Sequence, residues 1–169
     1  MNKWEASHAS VKTGGSDEWE TPPALFALLN EEFSFHTDAA ATYENSLCEF
    51  LYSPETDSLK RSWRSPRPWC GMRHTVWLNP PYSQCRDFMA KARVESTHST
   101  IVCLVPARTD TRWWHESVHP GASEVRLIKG RLKYRMNGEE RSPAPFPSCI
   151  VVYRPGHTGP PIYATMERP

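Results

Sequence analysis

The chain has 169 residues, a length that fits one domain with a single hydrophobic core. Hydrophobic residues make up 38% of it, and no apolar run approaches the ~20 residues of a membrane span. Residues 1–16 lack the hydrophobic stretch of a signal peptide, and the five cysteines are odd in number with no CxxC pair. These features argue against a membrane protein, a disulfide framework and a metal site, and we expect a cytoplasmic protein with free thiols.

In chain order, the sequence first predicts a helix that Thr21 caps and Pro22 opens. A strand at 33–37 should end at Asp38, and the small alanines after it would allow a ligand close to the backbone. Further strands are predicted at residues 48–52, 76–78, 101–105, 124–128, 130–134 and 149–153, and further helices at residues 83–95 and 109–118.

The alternation of strands and helices predicts an α/β fold with three αβα layers and a Rossmann-like, mostly parallel sheet. Residues 101–105 form a continuous apolar run, typical of a central strand that is buried on both faces. The strand-rich segment late in the chain, with a strong Asn137-Gly138 turn signal, suggests an antiparallel edge. We expect a flexible arm at 1–16, a single domain at 17–154 and a loosely ordered, Pro- and Gly-rich tail at 155–169.

The net charge of +1 is distributed unevenly along the chain. Residues 1–60 contain three Lys or Arg against eleven Asp or Glu, whereas residues 61–169 contain 17 against eight. This asymmetry fits two solvated surface patches of opposite sign, and it also fits a cofactor-binding half followed by a nucleic-acid-binding half. We favour the second interpretation because the turn at Asn79 suits a nucleobase.

That turn, Asn79-Pro80-Pro81-Tyr82, lies between a predicted strand and a predicted helix. The two prolines fix φ and remove two backbone N–H donors, so the turn presents acceptors: the Asn79 side-chain oxygen and the Pro80 carbonyl. An exocyclic amino group has two hydrogens to donate to such a pair, and Tyr82 offers an aromatic face for a planar base. Asn-Pro and Pro-Pro are also common turn residues, so a purely structural turn is the alternative.

Five motifs follow one another along the chain. They are Asp17-Glu18-Trp19-Glu20-Thr21-Pro22, Asp38-Ala39-Ala40, Asn79-Pro80-Pro81-Tyr82, Leu104-Val105-Pro106-Ala107-Arg108-Thr109-Asp110-Thr111 with Trp113-Trp114, and Gly130-Arg131-Leu132-Lys133-Tyr134. In this order they resemble the small DNA N6-adenine methyltransferases of bacteriophages and prophages, the Dam-type phage family, over residues 17–153. The resemblance implies S-adenosylmethionine as methyl donor, N6 of adenine in double-stranded DNA as acceptor, and the cytoplasm of a bacterial host if the protein is phage-encoded.

The resemblance also implies roles for individual residues. Asn79, Pro80 and Tyr82 would be catalytic, with Asn79 and Pro80 holding the adenine amino group, and Pro81 and Tyr82 would contact the flipped-out base. The cofactor would be bound by Trp19, Thr21, Pro22, Asp38, Ala39, Ala40, Asp57 and Asn79. The sequence departs from most methyltransferases in having no GxG after the first strand, which leaves the binding of the methionine part undefined.

Four basic residues are candidates for contact with the DNA backbone: Arg108, Arg112, Arg131 and Lys133. For each of them, solvated surface charge is the alternative. Two rival functions also remain open: a methyltransferase acting on an RNA base or a protein glutamine amide, and a non-catalytic nucleic-acid-binding module on the same scaffold. The basic half favours nucleic acid over protein, but it does not separate DNA from RNA.

Overall fold

The structure is a computed structural model, which describes residue 17, residues 19–64 and residues 74–169. The predicted arm at 1–16 lies outside these residues. Within them there are two α-helices, α1 (Pro23–Phe33) and α2 (Cys85–Glu95), and a five-residue π-helix (Trp114–Val118). The strands are β1 (Thr37–Asp38), β2 (Phe50–Leu51), β3 (Thr75–Leu78), β4 (Thr100–Pro106), β5 (Glu124–Ile128), β6 (Arg135–Met136), β7 (Glu139–Glu140), β8 (Ser148–Tyr153) and β9 (Ile162–Met166).

Seven of these strands form one sheet in the order β2-β1-β3-β4-β8-β5-β9. Strands β2, β1, β3 and β4 are mutually parallel, and β5 is parallel to β9. Strand β8 alone within this sheet runs antiparallel to its neighbours, β4 and β5. The predicted α/β fold with a mostly parallel sheet is therefore confirmed, and the late antiparallel strand, β8, lies between β4 and β5.

The helices cover opposite faces of the sheet. Leu25 and Leu29 of α1 pack on one face with Val102 and Leu104, whereas Phe88 and Met89 of α2 pack on the other. Successive side chains of a strand point to opposite faces, so β4, which is buried along its whole length, supplies both cores. This arrangement gives the three αβα layers. Among the described residues, no helix is long and apolar enough to cross a membrane.

The strand predicted at residues 33–37 is much shorter in the structure. Helix α1 continues to Phe33, and Ser34 ends it in a left-handed conformation with φ of 51°, donating its backbone N–H to Asn30. The rings of Phe33 and Phe35 then stack 5.9 Å apart. The alternation of aromatic residues therefore reflects the packing of a helix end, and the extended backbone begins only at β1.

Two other segments also differ from prediction. Residues 130–134 form no strand, because Gly130 turns the chain at φ of 83° while Leu132 and Tyr134 remain buried. The helix predicted at 109–118 is confined to 112–118, since residues 109–111 form a turn. In both segments the apolar side chains are buried or partly buried, but the backbone around them is not the predicted strand or the predicted full-length helix.

Residues 155–169 contain β9 instead of the loosely ordered tail expected from their composition. Strand β9 pairs in parallel with all five residues of β5, and Lys129 donates a backbone hydrogen bond to Met166. All the Gly and all but one of the Pro residues of this segment lie in the connection before the strand, at residues 155–161, and Pro169 follows the strand. The sheet therefore extends beyond the expected domain boundary at residue 154.

Candidate active site

Asn79 lies directly after β3, at the carboxyl end of the strand. Its side-chain nitrogen Nδ2 donates to the carbonyl of Trp19 at 2.6 Å and to Oγ1 of Thr21 at 3.1 Å. Its side-chain oxygen Oδ1 is buried and has no hydrogen-bond partner among the described residues. The amide is therefore fixed at its nitrogen and presents an unused acceptor, the property predicted for this turn.

A cavity of about 650 Å³ opens beside Asn79. It lies where β1, β2 and β3 end, and open α/β sheets place ligands at the carboxyl ends of their strands. Its lining combines apolar surface with a few polar groups, which is typical of a small-molecule site. The lining includes Trp19, Thr21, Asp38, Ala40, Leu47, Tyr52, Ser53, Asp57, Asn79, Pro81, Phe88, Arg135, Asn137 and Gly138.

Asp38 ends β1 at the base of this cavity and is only 4% exposed. Its two carboxyl oxygens accept backbone N–H groups of Ala40 and Leu47, each at 3.3 Å. Burial disfavours the charged form and raises the pKa of Asp38 from 3.8 to about 6, although the two hydrogen bonds counteract part of that shift. The cavity therefore holds a carboxyl group that can change charge near neutral pH.

Another part of the cavity lining follows β2. The Ser53 hydroxyl is buried without a hydrogen-bond partner in the described part of the chain, as is Asn79 Oδ1. Asp57 stands in a left-handed conformation with φ of 51° and forms an ion pair with Lys60 at 2.6 Å. The Ser58 hydroxyl donates to the carbonyl of Ala39, the residue just after β1, at 2.5 Å. This bond connects the segment after β2 with the end of β1. Sequence reasoning missed Ser53, although its position just after a strand was a signal.

Tyr82 does not line the cavity. Its ring packs edge-on against Phe146 and Tyr134, with centroids 5.1 and 6.1 Å away, and its hydroxyl is buried. Burial raises the pKa of Tyr82 well above its ordinary value, so the phenol is neutral. Trp19 contacts the same two rings from the cavity side, at 5.5 Å from Tyr134 and 5.9 Å from Phe146.

The structure brings most of the predicted site residues to one place. Those in the cavity lining are Trp19, Thr21, Asp38, Ala40, Asp57, Asn79 and Pro81. Pro22, Ala39, Pro80 and Tyr82 lie next to these in sequence but outside the lining. Ala39 is fully buried, and its carbonyl is taken by Ser58. Seven of the predicted residues thus share one cavity, and the sequence did not separate the residues that face the cavity from those behind it.

The β6–β7 hairpin forms a wall that sequence reasoning did not assign to the site. Its turn, Asn137-Gly138, has φ of 53° and 75°, the left-handed pair that a two-residue hairpin requires. Glu20 joins the hairpin to the rest of the site, because its backbone pairs with that of Arg135 in both directions. The Asn137-Gly138 pair predicted the turn. Because the pair lies far from Asn79 in sequence, the position of this turn at the cavity was not predicted.

The four predicted DNA-contacting residues are exposed. Arg112 forms an ion pair with Glu116 at 2.7 Å, and Lys133 forms one with Glu140 at 2.9 Å. Arg108 and Arg131 form no ion pair with any residue in the described ranges. These two side chains are therefore the ones with unopposed positive charge.

The cysteines within the described residues are unsuited to nucleophilic or metal chemistry. Cys85, Cys103 and Cys149 are buried, and burial raises the pKa of the Cys85 thiol to about 12. In the described ranges, no group of three or more His, Cys, Asp and Glu side chains is arranged to hold a metal ion. Cys70 lies outside these ranges.

The chain matches the family described as "DNA N-6-adenine-methyltransferase (Dam)" over residues 8–167. It is similar to a DNA N-6-adenine-methyltransferase of Escherichia phage T1, with 38% identity over 126 residues that cover 73% of this chain and 50% of that protein. It is also similar to a DNA N-6-adenine-methyltransferase of Haemophilus phage HP1 (strain HP1c1), with 26% identity over 153 residues that cover 87% of this chain and 84% of that protein. The chain thus spans about half the length of the phage T1 relative.

Proposed function

The chain belongs to the DNA N-6-adenine-methyltransferase (Dam) family, and we propose that it transfers a methyl group from S-adenosylmethionine to N6 of a flipped-out adenine in double-stranded DNA. The observation that carries this proposal is the Asn79 amide. Its nitrogen is bonded to the protein, and its oxygen is buried without a partner among the described residues, beside the cavity. The adenine amino group has two N–H bonds and is a suitable donor for that oxygen.

The cavity suits S-adenosylmethionine in size and in chemistry. Its volume of about 650 Å³ lies within the ~300–1,000 Å³ of ordinary small-molecule sites. The carboxyl groups of Asp38 and Asp57 and the unpaired hydroxyl of Ser53 stand at the ends of β1 and β2 and in the loop after them. These three residues would hold the polar parts of the cofactor, and the small side chain of Ala40 leaves the backbone accessible. When bound, the cofactor supplies a methyl group attached to a positively charged sulfur.

The turn after β3 would activate the acceptor nitrogen. The adenine amino nitrogen is a poor nucleophile because its lone pair is delocalised into the ring. Asn79 Oδ1 and the Pro80 carbonyl would each accept one amino hydrogen, which favours a pyramidal nitrogen with a localised lone pair. Both oxygens carry partial negative charge in fixed positions, and they would stabilise the positive charge that develops on nitrogen as the new bond forms.

The flipped-out base also needs apolar surface, because extrusion from the duplex costs a few kcal/mol. Trp19 and Pro81 line the cavity together with Asn79 and can supply that surface. Direct stacking by Tyr82 would require its ring to leave its contacts with Tyr134 and Phe146. In the observed arrangement Tyr82 instead supports Trp19 from behind through those two rings.

The test is transfer of labelled methyl from S-adenosylmethionine to unmethylated double-stranded DNA, with the product nucleosides separated. We expect N6-methyladenine from the wild type and a fall of at least about 100-fold in kcat for Asn79→Ala, with cofactor affinity preserved. Asn30→Ala is the matched control, because the Asn30 side chain accepts the backbone N–H of Phe35 just beyond α1 and does not line the cavity. Wild-type enzyme that binds cofactor but labels only RNA or protein would refute the proposed substrate, and near-normal turnover of Asn79→Ala would refute the role of the turn.

A further inference from the structure

Four residues at the start of the described chain bond to three separate parts of the candidate active site. We call these residues, Asp17, Trp19, Glu20 and Thr21, the clasp. Trp19 and Thr21 hold the Asn79 amide nitrogen at 2.6 and 3.1 Å. The partners are about 60 positions apart in sequence, so these bonds are tertiary contacts and not part of a local turn.

The other two members, Asp17 and Glu20, bond to two other parts of the site. Asp17 accepts the backbone N–H of Ser83 at 2.9 Å and also the Ser83 hydroxyl, just before α2 begins. Glu20 pairs its backbone with that of Arg135 through two hydrogen bonds of 2.9 and 3.1 Å. The carboxylate of Glu20 also accepts the N–H of Gly138 at 3.1 Å. The segment is therefore held before Trp19 by Asp17 and between Trp19 and Thr21 by Glu20.

The two bonds to Asn79 determine which end of its amide is available. The Trp19 carbonyl can only accept, so the group 2.6 Å from it must be the amide NH₂. A rotation of the amide by 180° would place two oxygens at that distance and leave an N–H without its acceptor. The Thr21 hydroxyl provides a second acceptor, and Thr21 is itself only 7% exposed. Together they keep Oδ1 turned away from the clasp.

We propose that Thr21, acting with the Trp19 carbonyl, is a positioning residue that holds Asn79 Oδ1 in place for the amino group of the target base. This inference rests on the proposed function, and it gives Thr21 a role different from the cofactor contact expected from the sequence. Both residues line the cavity, so the experiment must separate positioning of Asn79 from contact with the cofactor.

Thr21→Val keeps the shape of the side chain and removes the acceptor, whereas Thr21→Ser keeps the hydroxyl. We expect kcat for DNA methylation to fall about tenfold in Thr21→Val, the loss that corresponds to one hydrogen bond, and to recover in Thr21→Ser. The dissociation constant of S-adenosylmethionine should stay within about twofold of wild type in both. Thr165→Val is the matched control, since Thr165 is exposed on β9. Thermal unfolding verifies that each variant is folded.

A second readout does not depend on activity. In ¹⁵N NMR spectra of the free protein, the Asn79 side-chain amide pair, identified by its loss in Asn79→Asp, should exchange with solvent faster in Thr21→Val than in wild type. Weaker cofactor binding with unchanged kcat would overturn the inference in favour of a cofactor contact, and unchanged exchange would overturn it outright. A wild type without methyltransferase activity would refute the proposed function, while the exchange rates would still show whether Thr21 fixes the amide.

Discussion

The raised pKa of Asp38 predicts a specific dependence of stability on pH. This carboxyl has a pKa of 3.8 in the unfolded chain and about 6 in the folded protein. Between those values the folded state holds a proton that the unfolded state has lost, so proton binding stabilises the fold. As the pH rises through about 6, the folded protein must carry a buried charge and that stabilisation disappears. A difference of about 2 pKa units corresponds to about 3 kcal/mol between pH 4 and pH 7.

The substitution Asp38→Asn isolates this contribution, because an amide of nearly the same shape cannot titrate. Its NH₂ would face one of the two backbone N–H groups, from Ala40 or Leu47, that now donate to the carboxyl. That lost bond costs about 1 kcal/mol at every pH. We therefore expect Asp38→Asn to be less stable than wild type by about 1 kcal/mol near pH 4 and more stable by about 2 kcal/mol near pH 7.5.

Urea unfolding of both proteins, without cofactor, at intervals from pH 4 to 7.5 measures this difference directly. The contributions of other titrating groups largely cancel, because they are common to both proteins. A difference in the free energy of unfolding that stays constant across this range would refute the reasoning, since it would mean that Asp38 keeps one protonation state throughout. A crossover between pH 4 and pH 5 would support it.

Two further predictions concern the aromatic cluster and the basic surface. Tyr82→Phe keeps the ring and removes only its buried hydroxyl, so the free energy of unfolding measured in urea should change by no more than about 1 kcal/mol; a loss above about 1 kcal/mol would show that this hydroxyl stabilises the fold through a strong hydrogen bond. Arg108→Ala and Arg131→Ala should each lower the slope of log affinity for DNA against log salt by about 1, and Arg112→Ala and Lys133→Ala should lower it less because a glutamate already pairs with each. Equal slopes for all four variants, measured by fluorescence titration, would argue against this division.

The parts of the fold that could be predicted from sequence are those where burial alone dictates the pattern. Strands β4 and β8 are buried along their whole length, so their continuous apolar runs identified them. The prediction at 33–37 was wrong because aromatic residues around a helix end alternate much as those of a strand do. Strand β9 was missed because its stability comes from pairing with β5, and its exposed residues carry little apolar periodicity.

The same distinction applies to the candidate site. The order of motifs predicted the family, and the family match over residues 8–167 confirms it. The residue roles stay predictions, and the sequence could not indicate which way each side chain faces. Tyr82 follows the turn directly, yet its ring packs away from the cavity, against Phe146 and Tyr134. Arg135 and Gly138 line the cavity, and Glu20, far from both in sequence, bonds to them.

The unpaired acceptor at Asn79 connects the stability of the fold with the proposed chemistry. A buried polar atom without a hydrogen bond costs about 1–3 kcal/mol, and native proteins contain few of them. Among the buried side-chain atoms without a hydrogen bond in the described residues are Ser53 Oγ and Asn79 Oδ1. Both residues line the same cavity, at the ends of β2 and β3. The clasp keeps Asn79 from relieving its share of that cost by rotating its amide. A donor that reached Oδ1 would offset the cost, so the same bonds that hold the acceptor unpaired in the free protein would favour binding of an amino group there.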